Sequence, residues 1–312
     1  NEDYFKGDVY PDVFPFKSWD FFGKWSEKTN ETPILTWQGG GENVTNSLSP
    51  LSLDIVSPPE GTSYKSCYVE FNVSLNKPTS SCKISFDNWD TQHSLTEKNE
   101  TYFYTSMNSN NGNLSVDFWC MGDDETVNDT ESLNITVDYT NVTSCGIMEC
   151  IRQDLDSNYF LGKDIDCINT SLSGHEFNND GKGFNPIGTS SSPFEGTFDG
   201  QNHSISNLWI NRSNQDRVGL FGQLGYDGFV KNLRLKNITV RGSNYVGAVV
   251  GFCDSSIKNV SASGNVESDN ESYSTGGLVG SLDRNSIYRS SFRGNVTGND
   301  DVGGLAGEAG EG

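Results

Sequence analysis

The sequence predicts an all-β protein, an Ig-like β-sandwich followed by a parallel β-helix. Three observations carry this. A glycine-hydrophobic phrase returns as Val246-Gly-Ala-Val-Val-Gly251, Thr275-Gly-Gly-Leu-Val-Gly280 and Val302-Gly-Gly-Leu-Ala-Gly307, after a shorter Val218-Gly-Leu-Phe-Gly222. Its closing glycines, Gly222, Gly251, Gly280 and Gly307, lie 29, 29 and 27 residues apart, the signature of a stacked array. A second phrase repeats between these marks, Val230–Val240, Ile257–Val266 and Ile287–Val296, with rough alternation, β-branched ends and Gly or Asn closures that read as strands. Upstream, residues 50–140 hold short alternating stretches bounded by turn residues, as a sandwich requires.

Residues 1–49 form an aromatic-rich arm or small subdomain. Tyr4, Phe5, Tyr10, Phe14, Phe16, Trp19, Phe21, Phe22, Trp25 and Trp37 are too many aromatics for a solvated tail. They pack on their own unit, on the flank of the sandwich, or into a neighbouring molecule; in the last case Phe14, Phe16, Trp19, Phe21, Phe22 and Trp25 are assembly anchors.

Residues 50–140 open with Leu53-Asp-Ile-Val-Ser-Pro-Pro-Glu-Gly61 and close with Leu133-Asn-Ile-Thr-Val137. The alternation of Val69-Glu-Phe-Asn-Val-Ser-Leu75 sends Val69, Phe71, Val73 and Leu75 to one face. Seven cysteines in an oxidising compartment imply disulfides with one thiol left over. Cys82 and Cys120 both sit in alternating stretches and suit a bridge inside the sandwich. Cys145 with Cys167 would staple the first coil, and Cys67, Cys150 and Cys253 stay unassigned. No cysteine spacing matches a zinc template.

Residues 141–312 are the predicted β-helix, incomplete at its C-terminal end because the chain stops inside a repeat. An unfinished coil exposes a sheet edge, so further chain or a partner is expected there. Small residues and Gly are expected at corners that need φ > 0 or close backbone approach. Leu233, Leu235, Val249, Leu278 and Val279 are expected to point inward.

The phrases Tyr159-Phe-Leu-Gly-Lys-Asp-Ile-Asp166, Phe194-Glu-Gly-Thr-Phe-Asp-Gly200 and Ile205-Ser-Asn-Leu-Trp-Ile210, with the Val-Gly-x-Leu-Val-Gly marks, resemble the GLUG-repeat proteins, surface or secreted β-solenoids of bacteria and archaea. The resemblance covers about residues 145–312. It implies a right-handed parallel β-helix exposed on a cell surface, often within adhesins. Some relatives carry a zinc peptidase, but this chain has no His-Glu-x-x-His, so that activity does not transfer. Residues 50–140 look similar to Ig-like modules of archaeal surface proteins.

Composition points the same way. Asn-x-Ser/Thr acceptors stand at Asn30, Asn43, Asn72, Asn99, Asn113, Asn128, Asn134, Asn141, Asn169, Asn202, Asn211, Asn237, Asn259, Asn270 and Asn295. With 33 Asn and 60 Ser plus Thr in 312 residues, chance gives roughly six. The excess favours an extracellular N-glycosylated protein. Asn295 aligns with Asn265, which is outside any sequon, so a stacked Asn ladder also accounts for that position. The net charge of −21, from 42 acidic and 21 basic residues, disfavours a nucleic-acid partner and suits solubility at high salt, divalent-cation bridging between neighbours, or simple colloidal stability. No apolar run reaches membrane-spanning length and no signal peptide is visible, so a processed N-terminus is expected.

Two function classes follow. One is a non-catalytic surface glycoprotein, as adhesin, filament subunit or surface-layer component, that associates with copies of itself and meets a cell-surface or carbohydrate target. The other is a carbohydrate-active β-helix enzyme, a polysaccharide lyase or hydrolase, which needs paired carboxylates or calcium with a basic residue. Asp254 and Asp283 each fall three residues after a repeat glycine and are the weak candidates for such a pair or for Ca²⁺. Glu176-Phe-Asn-Asn-Asp-Gly181 resembles the start of an EF-hand, yet its twelfth position is Ile187, and it reads as a turn. His93, His175 and His203 have no evident nucleophile partner. No catalytic residue and no cofactor is therefore expected, Ca²⁺ at Asp254 and Asp283 being the weak alternative.

Overall fold

The structure, a computed structural model, describes residues 24–26, 34–36, 50–122, 128–269, 273–283 and 285–310. It comprises two units, residues 1–50 and 51–312. In the first, β1 (Lys24–Ser26) pairs antiparallel with β2 (Ile34–Thr36), Trp25 opposite Leu35. Of the proposed assembly aromatics, Trp25 is described as a strand residue only; Phe14, Phe16, Trp19, Phe21 and Phe22 lie outside the described residues.

The second unit begins with two sheets over one core. The strands are β3 (Leu53–Ser57), β4 (Ser63–Tyr64), β5 (Tyr68–Leu75), β6 (Thr79–Ser85), β7 (His93–Ser94), β8 (Thr96–Asn99), β9 (Tyr102–Asn108), β10 (Gly112–Gly122) and β11 (Asn128–Val137). One sheet runs β3-β5-β9-β8 and the other β4-β11-β10-β6-β7. All pairs are antiparallel except β4 with β11. Alternation sorts the faces: Val69, Phe71 and Val73 of β5 and Val116, Phe118 and Cys120 of β10 are fully buried, while Glu70 and Tyr68 face water. Phe71 meets Phe118 across the sheets at 6.0 Å and Phe86 edge-on at 5.5 Å. Each such ring contributes about 1.5–3 kcal/mol of burial.

A coil of parallel strands follows. Tyr159 stands opposite Phe198, Phe198 opposite Val230, Val230 opposite Ile257 and Ile257 opposite Ile287, so successive coils take 39, 32, 27 and 30 residues. On a second strip, Phe221, Val250, Val279 and Ala306 stack in register, and on a third, Val246, Thr275 and Val302. Leu233, Leu235, Val249, Leu278 and Val279 are at most 1% exposed and fill the interior. The result is a β-solenoid of about four turns.

The repeat glycines act through close approach. A Cβ on Gly251 would stand 2.5 Å from the Arg217 carbonyl carbon and 2.6 Å from the Val218 nitrogen; on Gly280 it would stand 2.5 Å from the Gly251 oxygen. Neither glycine has positive φ. Among the described residues, asparagine makes up seven of the fourteen non-glycine residues with positive φ, and eight glycines also have positive φ. Of the two roles expected of glycine at the corners, the repeat marks take close backbone approach: two strips of the coil meet there with no room for a side chain.

An aromatic column joins the two parts. Tyr139 stacks on Tyr159 at 6.1 Å, Tyr159 meets Phe194 at 6.2 Å, and Phe194 meets Phe221 at 5.0 Å. Asn111, in the β9–β10 turn, clamps it: Oδ1 accepts from the Tyr139 N–H at 2.9 Å, and Nδ2 donates to Asp154 Oδ2 at 3.1 Å and to the Tyr159 hydroxyl at 3.2 Å. Burial pushes the Tyr139 phenol up to about 12. The six-residue helix α1 (Cys145–Cys150) lies between, with the Ser144 Oγ accepting from the Ile147 N–H at 3.2 Å as N-cap.

Three disulfides brace this arrangement. Cys82 and Cys120 face one another on adjacent strands β6 and β10 of one sheet. Cys145, in α1, joins Cys167 in the first coil. Cys67, just before β5, joins Cys150 in α1 and so ties the sheets to the coil. Cys253 is buried and free, and burial pushes its thiol up to about 11.

Candidate functional surface: asparagine ladders and sequons

The outer corners of the solenoid are built from asparagine because its short amide tolerates left-handed backbone and can bond to a counterpart one coil away. Asn207, Asn232, Asn237 and Asn259 all have φ between 51° and 58°. Their amides form ladders. Asp166 Oδ1 accepts from Asn207 Nδ2 at 2.9 Å, and Asn207 Oδ1 accepts from Asn237 Nδ2 at 2.7 Å. Asp199 Oδ1 accepts from Asn232 Nδ2 at 3.0 Å, and Asn232 Oδ1 accepts from Asn259 Nδ2 at 2.9 Å. Asn265 Oδ1 accepts from Asn295 Nδ2 at 3.1 Å, with the two residues opposite in register. A fourth ladder joins Asp216 Oδ1 to Asn244 Nδ2 at 2.9 Å.

Three of the four ladders start at a carboxylate, Asp166, Asp199 or Asp216. Burial works against ionisation of Asp199, but the Gln201 N–H, the Asn232 amide and the Lys231 charge hold its carboxyl below the ordinary range. Asn207 and Asn232 each donate to the preceding coil and accept from the following one. Sequence reasoning found Asn265 with Asn295 but missed Asn207, Asn232 and Asn244. The signal was present, since Asn232 and Asn259 recur at the repeat spacing, yet unequal early coils blur it.

The sequons divide accordingly. Asn237, Asn259 and Asn295 are exposed, yet each commits its amide nitrogen to a ladder. Asn72 and Asn134 donate to Glu70 and Glu60, and Asn211 approaches the Gly181 carbonyl at 3.4 Å. Asn99, Asn113, Asn141 and Asn202 are exposed, and their amide nitrogens donate no hydrogen bond among the described residues. Asn99 Oδ1 accepts from the Thr101 N–H and hydroxyl at 3.0 and 3.2 Å, so its own sequon is folded into a compact turn. Asn169 is half-buried in a 3-10 helix. Asn30, Asn43 and Asn270 lie outside the described residues, as does the Asn128 side chain.

The carboxylate pair behaves differently from its sequence reading. Asp254 and Asp283 do lie on adjacent coils, the Asp283 N–H reaching the Cys253 carbonyl at 2.9 Å. Asp254 is only 9% exposed, however, and its Oδ2 accepts from Gln223 Nε2 at 2.7 Å. Its carbonyl accepts from Asn285 Nδ2 at 2.6 Å. Asp254 is therefore a bonded wall residue, where the sequence suggested a solvated turn or an open ligand. Among the described residues no three His, Cys, Asp or Glu side chains gather in a metal-binding group. His93 is exposed on β7, and His203 Nδ1 stands 3.2 Å from Asp164 Oδ1.

No family model matches the chain. The chain is 42% identical over 138 residues to halomucin of Haloquadratum walsbyi, a match covering 43% of this chain and 1% of that protein. It is 42% identical over 84 residues to a putative Gly-rich membrane protein of Evansella cellulosilytica, covering 26% and 10%. It is 29% identical over 181 residues to an immunoglobulin A1 protease of Streptococcus pneumoniae, covering 55% and 8%. The chain thus spans a tenth or less of the length of each of these relatives.

Proposed function

We propose that this chain belongs to a non-catalytic, extracellular cell-surface glycoprotein in which the two-sheet part and the solenoid form a rigid support for N-linked sugars. The observation that carries the reading is the division of the sequons. Exposed acceptors such as Asn99 on β8, Asn113 on β10 and Asn202 on the solenoid donate no hydrogen bond from the reacting nitrogen among the described residues. Relatives named halomucin and Gly-rich membrane protein support a surface or membrane-associated setting. The strand order β3-β5-β9-β8 against β11-β10-β6 supports an Ig-like identity for residues 50–140. The repeated Val-Gly-x-Leu-Val-Gly marks support kinship with GLUG-repeat solenoids, and adhesin, filament or surface-layer service is the finer form of the proposal.

A lyase or hydrolase reading gains nothing from Asp254, whose carboxylate is occupied by Gln223. The test is exposure on living cells. Labelling of intact cells with a membrane-impermeant amine reagent is expected to modify the protein while cytoplasmic markers stay unlabelled. Labelling only after lysis overturns the reading.

A further inference from the structure

The first coil takes 39 residues where the later ones take 27 to 32, and much of the surplus forms an excursion over residues 168–183. It carries two 3-10 turns, Ile168–Thr170 and Glu176–Asn178. Buried Asn178 holds it: Nδ2 donates to the Thr170 carbonyl at 3.0 Å and Oδ1 accepts from the Gly181 N–H at 2.9 Å. Asn179 Nδ2 donates to the Gly183 carbonyl at 2.7 Å. Thr170 Oγ1 donates to the Cys167 carbonyl at 2.7 Å and accepts from the Trp209 N–H at 3.0 Å. The resemblance to an EF-hand start dissolves here, because Asn178 and Asn179 spend their side chains bracing the loop.

Between this loop and Trp209 lies a groove of about 710 Å³, within the size range of ligand sites. Trp209 lies against Gly183, where any Cβ would stand 2.8 Å from its Cε3 and 2.2 Å from its carbonyl oxygen. The lining side chains of Ser171, Asn178 and Asn179 are spent on the loop itself, but four other polar lining groups are uncommitted. The exposed carboxylates of Glu176 and Asp180, the Ser173 hydroxyl and the Trp209 indole N–H make no hydrogen bond among the described residues. His175 Nδ1 accepts from the Phe177 N–H at 3.3 Å, so the neutral ring carries its proton on Nε2 as a donor.

We infer that this groove is a saccharide-binding site. The C–H face of a pyranose packs on an indole, and its hydroxyls donate to carboxylates and accept from an imidazole, a hydroxyl or an indole N–H. Two carboxylates repel phosphates and nucleotides. The prevalence of polar groups suits a hydroxyl-rich ligand better than an apolar one. The sugar has two possible sources, a separate glycan or the chain's own. Asn169 sits in the excursion and Asn211 follows Trp209 by two residues with its Nδ2 3.4 Å from the Gly181 carbonyl. The inference deepens the surface-protein reading, but binding by the unglycosylated chain does not depend on location.

The test uses the full chain, disulfides formed, from a host that adds no glycans. Saturation-transfer NMR is run with glucose, galactose, mannose and N-acetylglucosamine oligosaccharides. At least one is expected to bind, with affinity falling about tenfold or more in Trp209→Ala and in the exposed double variant Glu176→Gln/Asp180→Asn. Tyr226→Ala, which removes an aromatic 80% exposed elsewhere, is expected to leave binding unchanged. In a second arm on glycosylated protein, silent wild type with binding restored by Asn169→Gln or Asn211→Gln identifies the chain's own sugar as occupant. Equal binding in both preparations identifies an external glycan. Failure of every oligosaccharide to bind the unglycosylated chain, or loss equal in Tyr226→Ala, overturns the proposal.

Discussion

Replacing Asn232 with alanine probes the ladder where it spans three coils. Its amide donates to Asp199 at 3.0 Å and accepts from Asn259 at 2.9 Å, and its φ is 53°. A bond to a charged acceptor is worth about 1.5–3 kcal/mol when buried, reduced to about 1 kcal/mol here because the Asp199 side chain keeps 27% exposure. The Asn259 bond adds about 0.5–1 kcal/mol. Forcing alanine into the left-handed region adds about 1 kcal/mol. Asn232→Ala is thus expected to lower unfolding free energy by about 2–3 kcal/mol in urea titrations followed by circular dichroism. Asn232→Gly loses both bonds but not the backbone fit, so it is expected to retain about 1 kcal/mol more than the alanine variant. Asn214, exposed and bonded to nothing among the described residues, is the control, with Asn214→Ala within about 0.5 kcal/mol of wild type. If Asn232→Ala matches Asn214→Ala, or the glycine and alanine variants coincide, the ladder reasoning is wrong.

Other outcomes follow from the same geometry. Gly251→Ala sets a methyl against fixed backbone at 2.5 Å and is expected to cost about 2–3 kcal/mol, whereas Gly304→Ala meets open space and is expected to be neutral in the same titration. Removing the Cys67–Cys150 bridge, which closes a separation of 83 residues, is expected to cost about 4.5 kcal/mol by the chain-entropy relation; a loss under about 1 kcal/mol by urea unfolding would refute its bracing role. Lys65 at 2.7 Å and then Thr140 hold the Asp138 carboxyl down from 3.8 to about 2. A depressed folded value stabilises above the unfolded one, so this contribution is whole above about pH 4 and lost as pH falls through about 2. Lys65→Met is expected to shrink the stability change across that window; an unchanged pH profile would contradict the pairing.

Much of the coil was legible because its spacing is fixed by the perimeter of one turn. The 29, 29 and 27 residue intervals of the glycine marks reappear in the register of Phe221, Val250, Val279 and Ala306. Alternation also foretold the buried faces around Phe71 and Phe118. The Cys67–Cys150 link was not legible, since four or more cysteines allow several connectivities and this pair is 83 residues apart. Trp209 was hidden for a different reason. Read along the chain it is an alternating strand residue, and only the excursion of the long first coil brings Glu176 and Asp180 to the same groove. Asp254 misled because a residue at a turn-like spacing was assigned to solvent, and Gln223 one coil earlier captured it.

Site-resolved glycopeptide mass spectrometry on the protein from its native source tests the surface-glycoprotein account most directly. Sugar is expected at Asn99, Asn113 and Asn202, with Asn237, Asn259 and Asn295 empty because their amides are bound between coils. Finding all of these acceptors unmodified, or sugar confined to the ladder positions, would contradict it.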